Sequence, residues 1–223
     1  PRHLPGSRPQ RLPGTTNSRS VPVLGLTGGI AAGKSTVTAL LAKTLRAQVF
    51  DSDACARSLP EEDNRVRAAL IERFGNDVFN AERKLDRKRL REEVFRDDSA
   101  RRALESILHP MIRARWMAIA EQFRESESWL IVDIPLLFET GAESAFPATL
   151  AVLCGRSTQM ERLTGDRGLG PEIASKMIAS QWSADRKIGL ADHVIWNDGT
   201  RACLEAQTAH CATILIQRYE RGP

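Results

Sequence analysis

No two of the four cysteines, Cys55, Cys154, Cys203 and Cys211, stand in a C-x-x-C spacing, and two of them fall in strongly apolar segments. Free thiols of a reducing, cytoplasmic compartment are therefore expected, and neither disulfides nor zinc. His3, His109, His193 and His210 also lack ligand spacing, so no transition metal held by the protein is expected. No apolar run approaches the roughly 20 residues that span a bilayer, which argues against a membrane segment. Residues 1–20 contain no acid at all. Their Arg2, Arg8, Arg11 and Arg19 account for the whole formal charge of +4, so the pI near 9.1 belongs to that stretch and is poor evidence for a nucleic-acid partner. The same stretch is rich in Pro, Gly, Arg and Ser and has no secretory apolar run. It reads as a disordered tail, and its prolines spoil the amphipathic helix of an organelle-targeting segment.

The whole chain, 223 residues at 42% apolar content, suffices for one α/β domain with insertions. The most informative stretch is Gly28-Gly29-Ile30-Ala31-Ala32-Gly33-Lys34-Ser35, which satisfies G-x-x-x-x-G-K-[ST]. Val21–Leu26 ahead of it reads as a short buried strand and Ser35–Lys43 behind it as a helix, the strand–loop–helix context that a phosphate-binding loop requires. Its glycines let peptide N–H groups turn inward to phosphate oxygens. Lys34 would reach the β- and γ-phosphates of ATP, the Ser35 hydroxyl would ligate Mg²⁺, and the helix N-terminus would add partial positive charge. Ala31 and Ala32 in the loop interior should be tolerated if both keep negative φ.

Further strands are expected at 47–50, 129–132, 149–153 and 193–196, and helices at 65–74, 87–95, 99–108, 111–123, 157–163, 172–181 and 202–218. Strongly apolar strands alternating with helices imply a five-stranded parallel sheet covered on both faces, a three-layer α/β fold. Ligands then gather at the carboxyl ends of the strands. Asp51 and Asp53 sit two apart at the end of the second strand, so in extended backbone both carboxylates would point to one side, near the γ-phosphate if the glycine loop ends the neighbouring strand. One could take a proton from an attacking hydroxyl while the other holds magnesium. A helix N-cap near Ala54 would explain one of them, though not both. Asp133 ends the third strand, where it could help hold Mg²⁺ or simply serve the turn. Arg156, Arg162, Arg167, Arg186 and Lys187 cluster between the fourth and fifth strands with Gly165, Gly168 and Gly170 among them. This segment reads as a lid that brings arginine over the transferring phosphoryl group, the alternative being a solvated helix face.

Several ordered segments resemble the dephospho-coenzyme A kinase family. Leu26-Thr27-Gly28-Gly29-Ile30 with Gly33-Lys34-Ser35-Thr36 resembles its L-T-G-G-I-x-x-G-K-S-T, and Asp51-Ser52-Asp53 its D-x-D, with Ala56-Arg57 following. Leu108-His109-Pro110 resembles its L-H-P, Asp133 through Glu139 its D-x-P-L-L-F-E, and Gln181, Lys187, Ala191-Asp192, Val194-Ile195, Asn197 and Gly199 its closing pattern. The resemblance covers residues 21–200. It implies a P-loop NTPase fold that phosphorylates the ribose 3′-hydroxyl of dephospho-CoA with ATP and Mg²⁺. A monomer is expected, with an oligomer as the alternative. Asp53 would be the base beside Asp51, with Lys34 and Arg162 completing the catalytic set. Gly29 through Thr36 and Asn197 would hold the nucleotide, Thr27, His109, Leu136 and Glu139 the acceptor, and Ser35 and Asp133 the metal. The implied organisation is a nucleotide-binding core of 21–58, 129–157 and 189–223, a helical acceptor-binding insertion at 59–128 and a lid at 158–188. At the lid, Arg167 directly precedes Gly168-Leu169, where the family usually has a residue between, so the arginine that contacts ATP is left open.

Two other classes share part of the pattern. A nucleoside monophosphate kinase would have the same cradle and lid with a smaller acceptor. A nucleotide-switch ATPase is disfavoured, because the third strand runs Asp133-Ile134-Pro135-Leu136 in place of D-x-x-G and no N-K-x-D occurs.

Overall fold

A computed structural model describes residues 23–122 and 128–219. The tail expected at 1–20 lies outside the described residues. Five strands, β1 (Val23–Gly28), β2 (Gln48–Asp51), β3 (Leu130–Asp133), β4 (Ala148–Leu153) and β5 (His193–Trp196), form one sheet in the order β2-β3-β1-β4-β5, every neighbouring pair parallel. The order corrects one expectation. The neighbour of β2 is β3, so β3 stands between the aspartate pair and the glycine loop. Register compensates, because Asp133 pairs with Leu26 on one side and with Asp51 on the other, bringing three strand ends level.

The strands bury side chains on both faces with a period of two, as a sheet covered on each side must. Leu24, Leu26, Ile131, Leu150 and Val152 pack on one face with α1 (Lys34–Thr44) and α9 (Arg201–Tyr219), through Val37, Leu41, Leu204 and Leu215. Leu130, Val132, Ala151 and Leu153 pack on the other with Leu137, Phe138, Phe146 and Trp116. The two faces and the sheet make three layers.

Between β2 and β3 lie α2 (Ser52–Glu62), α3 (Asn64–Phe74), α4 (Arg87–Arg96) and α5 (Asp98–Gln122). Helices α2, α3 and α5 share a smaller cluster in which Leu59, Val66 and Leu70 are buried against Leu104, Leu108 and Met111. Helix α2 begins directly at the end of β2 and runs unbroken past residue 58. The two helices expected at 99–108 and 111–123 are the single helix α5 with Pro110 inside it. Pro110 cannot donate to the Ser106 carbonyl, but both residues face solvent, where water replaces the missing bond. Beyond β4 come α6 (Arg156–Glu161), a π turn at Arg162–Asp166, α7 (Pro171–Ala179) and α8 (Ala184–Ile188), the last too short to show a periodic pattern. Among the described residues, no helix is long and apolar enough to cross a membrane.

Candidate active site

A cleft of about 480 Å³ opens at the carboxyl end of β1, lined by Gly28 through Ser35, Asp53, Pro135, Arg162, Asp166, Arg167 and Gln181. The loop that forms its floor is fixed from outside. Gln159 Nε2 donates to the Ile30 carbonyl at 2.9 Å, Arg162 Nη1 to the Ala31 carbonyl at 3.0 Å and Asn197 Nδ2 to the Ala32 carbonyl at 2.9 Å. Gly33 takes φ +85°, and a Cβ there would come within 2.5 Å of the Asn197 amide nitrogen, so only glycine fits. Ala31 takes φ +56°, against the expectation of negative φ. The left-handed conformation costs an alanine about 1 kcal/mol or more, and the bonds to the carbonyls on either side of its Cα hold it there. At the start of α1 the N–H groups of Gly33, Lys34 and Ser35 have no acceptor among the described residues. They are the orphan donors of a helix N-terminus, aimed at the cleft.

The Lys34 ammonium is bonded to the Asp133 carboxylate. Burial pushes the Asp133 pKa up, the Lys34 bond opposes that, and the charges of Asp51 and Asp53 reinforce it. Ser52 Oγ donates to the Asp133 backbone carbonyl, tying the start of α2 to the end of β3. The two neighbouring aspartates do not lie side by side in extended backbone. Asp51 is the N-cap of α2 and its Oδ1 accepts the Ala54 N–H at 2.9 Å, whereas Asp53 is already in the first helical turn and reaches the cleft wall. The N-cap reading therefore accounts for Asp51, and helix geometry separates the roles of the pair.

Of the residues expected to act, Gly29, Ile30, Ala31, Ala32, Gly33, Lys34, Ser35, Asp53 and Arg162 meet in the cleft wall. Thr27, Thr36, Asp51, His109, Asp133, Leu136, Glu139 and Asn197 stand outside it. Thr27 is fully buried and donates to the Pro135 carbonyl at 2.9 Å, so it bears on the cleft through Pro135. Buried Asn197 spends its side-chain amide on the loop, and its backbone carbonyl accepts from Arg162 Nη2 at 2.9 Å. Glu139 accepts the Trp182 N–H at 3.1 Å and pairs at 2.9 Å with Lys187, which has no exposed surface. Leu136 is 38% exposed and His109 is exposed on α5. Gln159 and Ser52 carried no recognised signal in the sequence, because their partners are backbone atoms far along the chain.

The Asp133 carboxylate bonds the Lys34 ammonium and Ser35 lines the cleft beside it in sequence, so the expected metal ligands are both oxygens. A hard divalent cation that takes most of its ligands from phosphate and water fits such a set. The arrangement as a whole can grip a triphosphate by its amides and an ammonium, with Asp53 and Asp166 lining the same cleft.

Comparison with known proteins gives a consistent neighbourhood. The family model for dephospho-CoA kinase matches residues 22–202. A dephospho-CoA kinase of Symbiobacterium thermophilum is 40% identical over 189 residues, covering 82% of this chain and 79% of the relative. The crystal structure of TT1252 from Thermus thermophilus superposes with a TM-score of 0.69 at 30% identity, covering 88% of this chain and 97% of the other. A dephospho-CoA kinase from Campylobacter jejuni shares the fold, with a TM-score of 0.58 at 24% identity over 91% of this chain and all of its own.

Proposed function

The chain belongs to the dephospho-CoA kinase family, and on that premise we propose that it moves the γ-phosphoryl group of ATP to the ribose 3′-hydroxyl of dephospho-CoA, giving CoA and ADP. The observation that carries the reading is that Asp53 lines the same cleft as the amide cradle and Lys34.

In the reaction, the N–H groups of the loop and the first turn of α1 bind the phosphates, and Lys34 leaves Asp133 for the β- and γ-oxygens. That exchange frees the Asp133 carboxylate, which with Ser35 would hold Mg²⁺; the ion would supply charge neutralisation for the phosphates. Asp53 accepts the proton of the 3′-hydroxyl as the oxygen attacks. Asp51 is passed over for this task because its carboxylate is engaged as the helix cap. The γ-phosphoryl passes through a loose transition state with charge on three equatorial oxygens, so position and electrostatics dominate. Arg162 serves that charge. Two of its five N–H donors hold the Ala31 and Asn197 carbonyls, and three remain for phosphate oxygens.

His109 and Leu136, both open to solvent, are assigned to the acceptor, and Thr27 and Glu139 to holding the 135–139 turn and the lid in place. The insertion at 59–128 binds the long acceptor and the 158–188 segment closes over ATP.

Phosphorus NMR of the product tests the regiochemistry. Incubation with ATP, Mg²⁺ and dephospho-CoA should yield one new phosphomonoester coupled to the ribose 3′ proton. A phosphate on the 2′ oxygen, or none, would overturn the assignment.

A further inference from the structure

Gln159 belongs to α6, outside the cleft, yet it is bonded to the phosphate-binding loop. It lines a second cavity of about 200 Å³ behind the loop, together with Gly29, Gln181 and Trp182. The approach is close. A Cβ on Gly29 would lie 3.0 Å from Gln159 Nε2, so the absence of a side chain there opens the path to the Ile30 carbonyl. From the same side, Gln181 Oε1 accepts the Ile30 N–H at 2.9 Å. Two consecutive peptide planes around Ile30 are thus held by glutamines from α6 and from just beyond α7.

A trans peptide is planar, with its C=O and N–H pointing in opposite directions. Pulling the Ile30 carbonyl back towards Gln159 therefore swings the Ala31 N–H forward. That N–H has no acceptor among the described residues. The Asn197 bond to the Ala32 carbonyl turns the Gly33 N–H forward by the same geometry.

We propose that Gln159 is a positioning residue for phosphoryl transfer: by holding the Ile30 carbonyl from behind, it aims the Ala31 N–H at the β-phosphate of the nucleotide. Gln181 holds the preceding peptide, so the lid helices and the orientation of the loop amides are set together. The proposal rests on the ATP-kinase reading above and extends it to a residue without contact to substrate.

ADP carries the β-phosphate and serves as the probe. By calorimetry, Gln159→Met should bind ADP about tenfold more weakly than the wild-type protein, the effect of one lost hydrogen bond to a charged group. By NMR, the Ala31 amide proton should move downfield on ADP binding in the wild-type protein and fail to do so in Gln159→Met, while the Gly33 amide still shifts. Gln159→Glu gives an independent arm. Its ionised carboxylate cannot donate, but its protonated form can, so its ADP affinity relative to wild type should recover as pH falls through the carboxyl titration. Wild-type affinity in Gln159→Met with an unchanged Ala31 shift would overturn the role of Gln159. Should that variant fail to fold, a pH-independent ratio for Gln159→Glu does the same. A wild-type protein that binds no ADP would instead sink the kinase reading.

Discussion

The loop that ends β1 has three consecutive carbonyls held by Gln159, Arg162 and Asn197, side chains 129, 131 and 165 residues away in sequence. The helical insertion is fastened within itself: the Asp63 and Asp86 N-caps, exposed pairs such as Arg87–Glu61 and Arg115–Glu62, and a cluster whose fully buried centre is Leu59 and Leu70. A phosphate cradle needs amides fixed in direction before the ligand arrives, since electrostatic stabilisation is strongest when no reorganisation is required. An acceptor-binding insertion needs only a folded surface of suitable shape. The glycine loop is built by long-range bonds to backbone, and the insertion proposed to bind the acceptor by ordinary helix packing.

The sharpest contrast should appear in turnover. Asp53→Asn keeps the shape of the cleft wall and removes the proton acceptor, so kcat should fall by roughly 10²–10⁴ with ATP affinity nearly unchanged. Steady-state kinetics with calorimetry check this, and unchanged turnover would remove Asp53 from the role. Lys34→Ala strikes the cradle itself. It should cut turnover by roughly 10²–10³ and abolish calorimetrically detectable ATP binding; normal ATP affinity would contradict the nucleotide site.

Leu70→Ala empties a site with no exposed surface in the insertion. It should cost about 2–5 kcal/mol in denaturant unfolding and raise the KM for dephospho-CoA more than that for ATP. Equal changes in both constants would erase the proposed division between the two sides.

The smallest effect concerns the cap of α3. The Arg65 side chain and backbone N–H hold the Asp63 carboxyl down at about 2 from its usual 3.8. A carboxyl depressed in the folded state contributes stability above its unfolded pKa and loses it as pH falls through the folded value. The difference in Tm between the wild-type protein and Asp63→Ala should be steady above about pH 4 and shrink between pH 4 and about 2. A difference independent of pH would assign the cap no electrostatic part.

The legibility of the two sides in sequence was unequal for related reasons. Gly28 to Ser35 announced a phosphate site because its residues must lie adjacent in the chain to wrap one ligand, and all five strands stood out by their apolar density. Strand order was misjudged. Nothing local in Gln48–Asp51 says that it pairs with Leu130–Asp133, because pairing depends on the whole insertion folding away between them. Two helices were expected at 99–108 and 111–123, but an exposed proline at 110 that leaves the Ser106 carbonyl to water need not end a helix. Ala31 was expected at negative φ, and only the tertiary bonds of Gln159 and Arg162 account for its left-handed backbone. Gln159 and Ser52 escaped notice altogether: a side chain that bonds a distant carbonyl leaves no spacing to find.

The measurement that bears most directly on the account is ADP release from ATP and Mg²⁺ with dephospho-CoA, AMP, CMP or no acceptor. A cradle that serves any acceptor and an insertion that chooses one predict release with dephospho-CoA far above the other three. Equal or greater release with AMP or CMP would contradict the assignment of the insertion and make this a nucleoside monophosphate kinase in function.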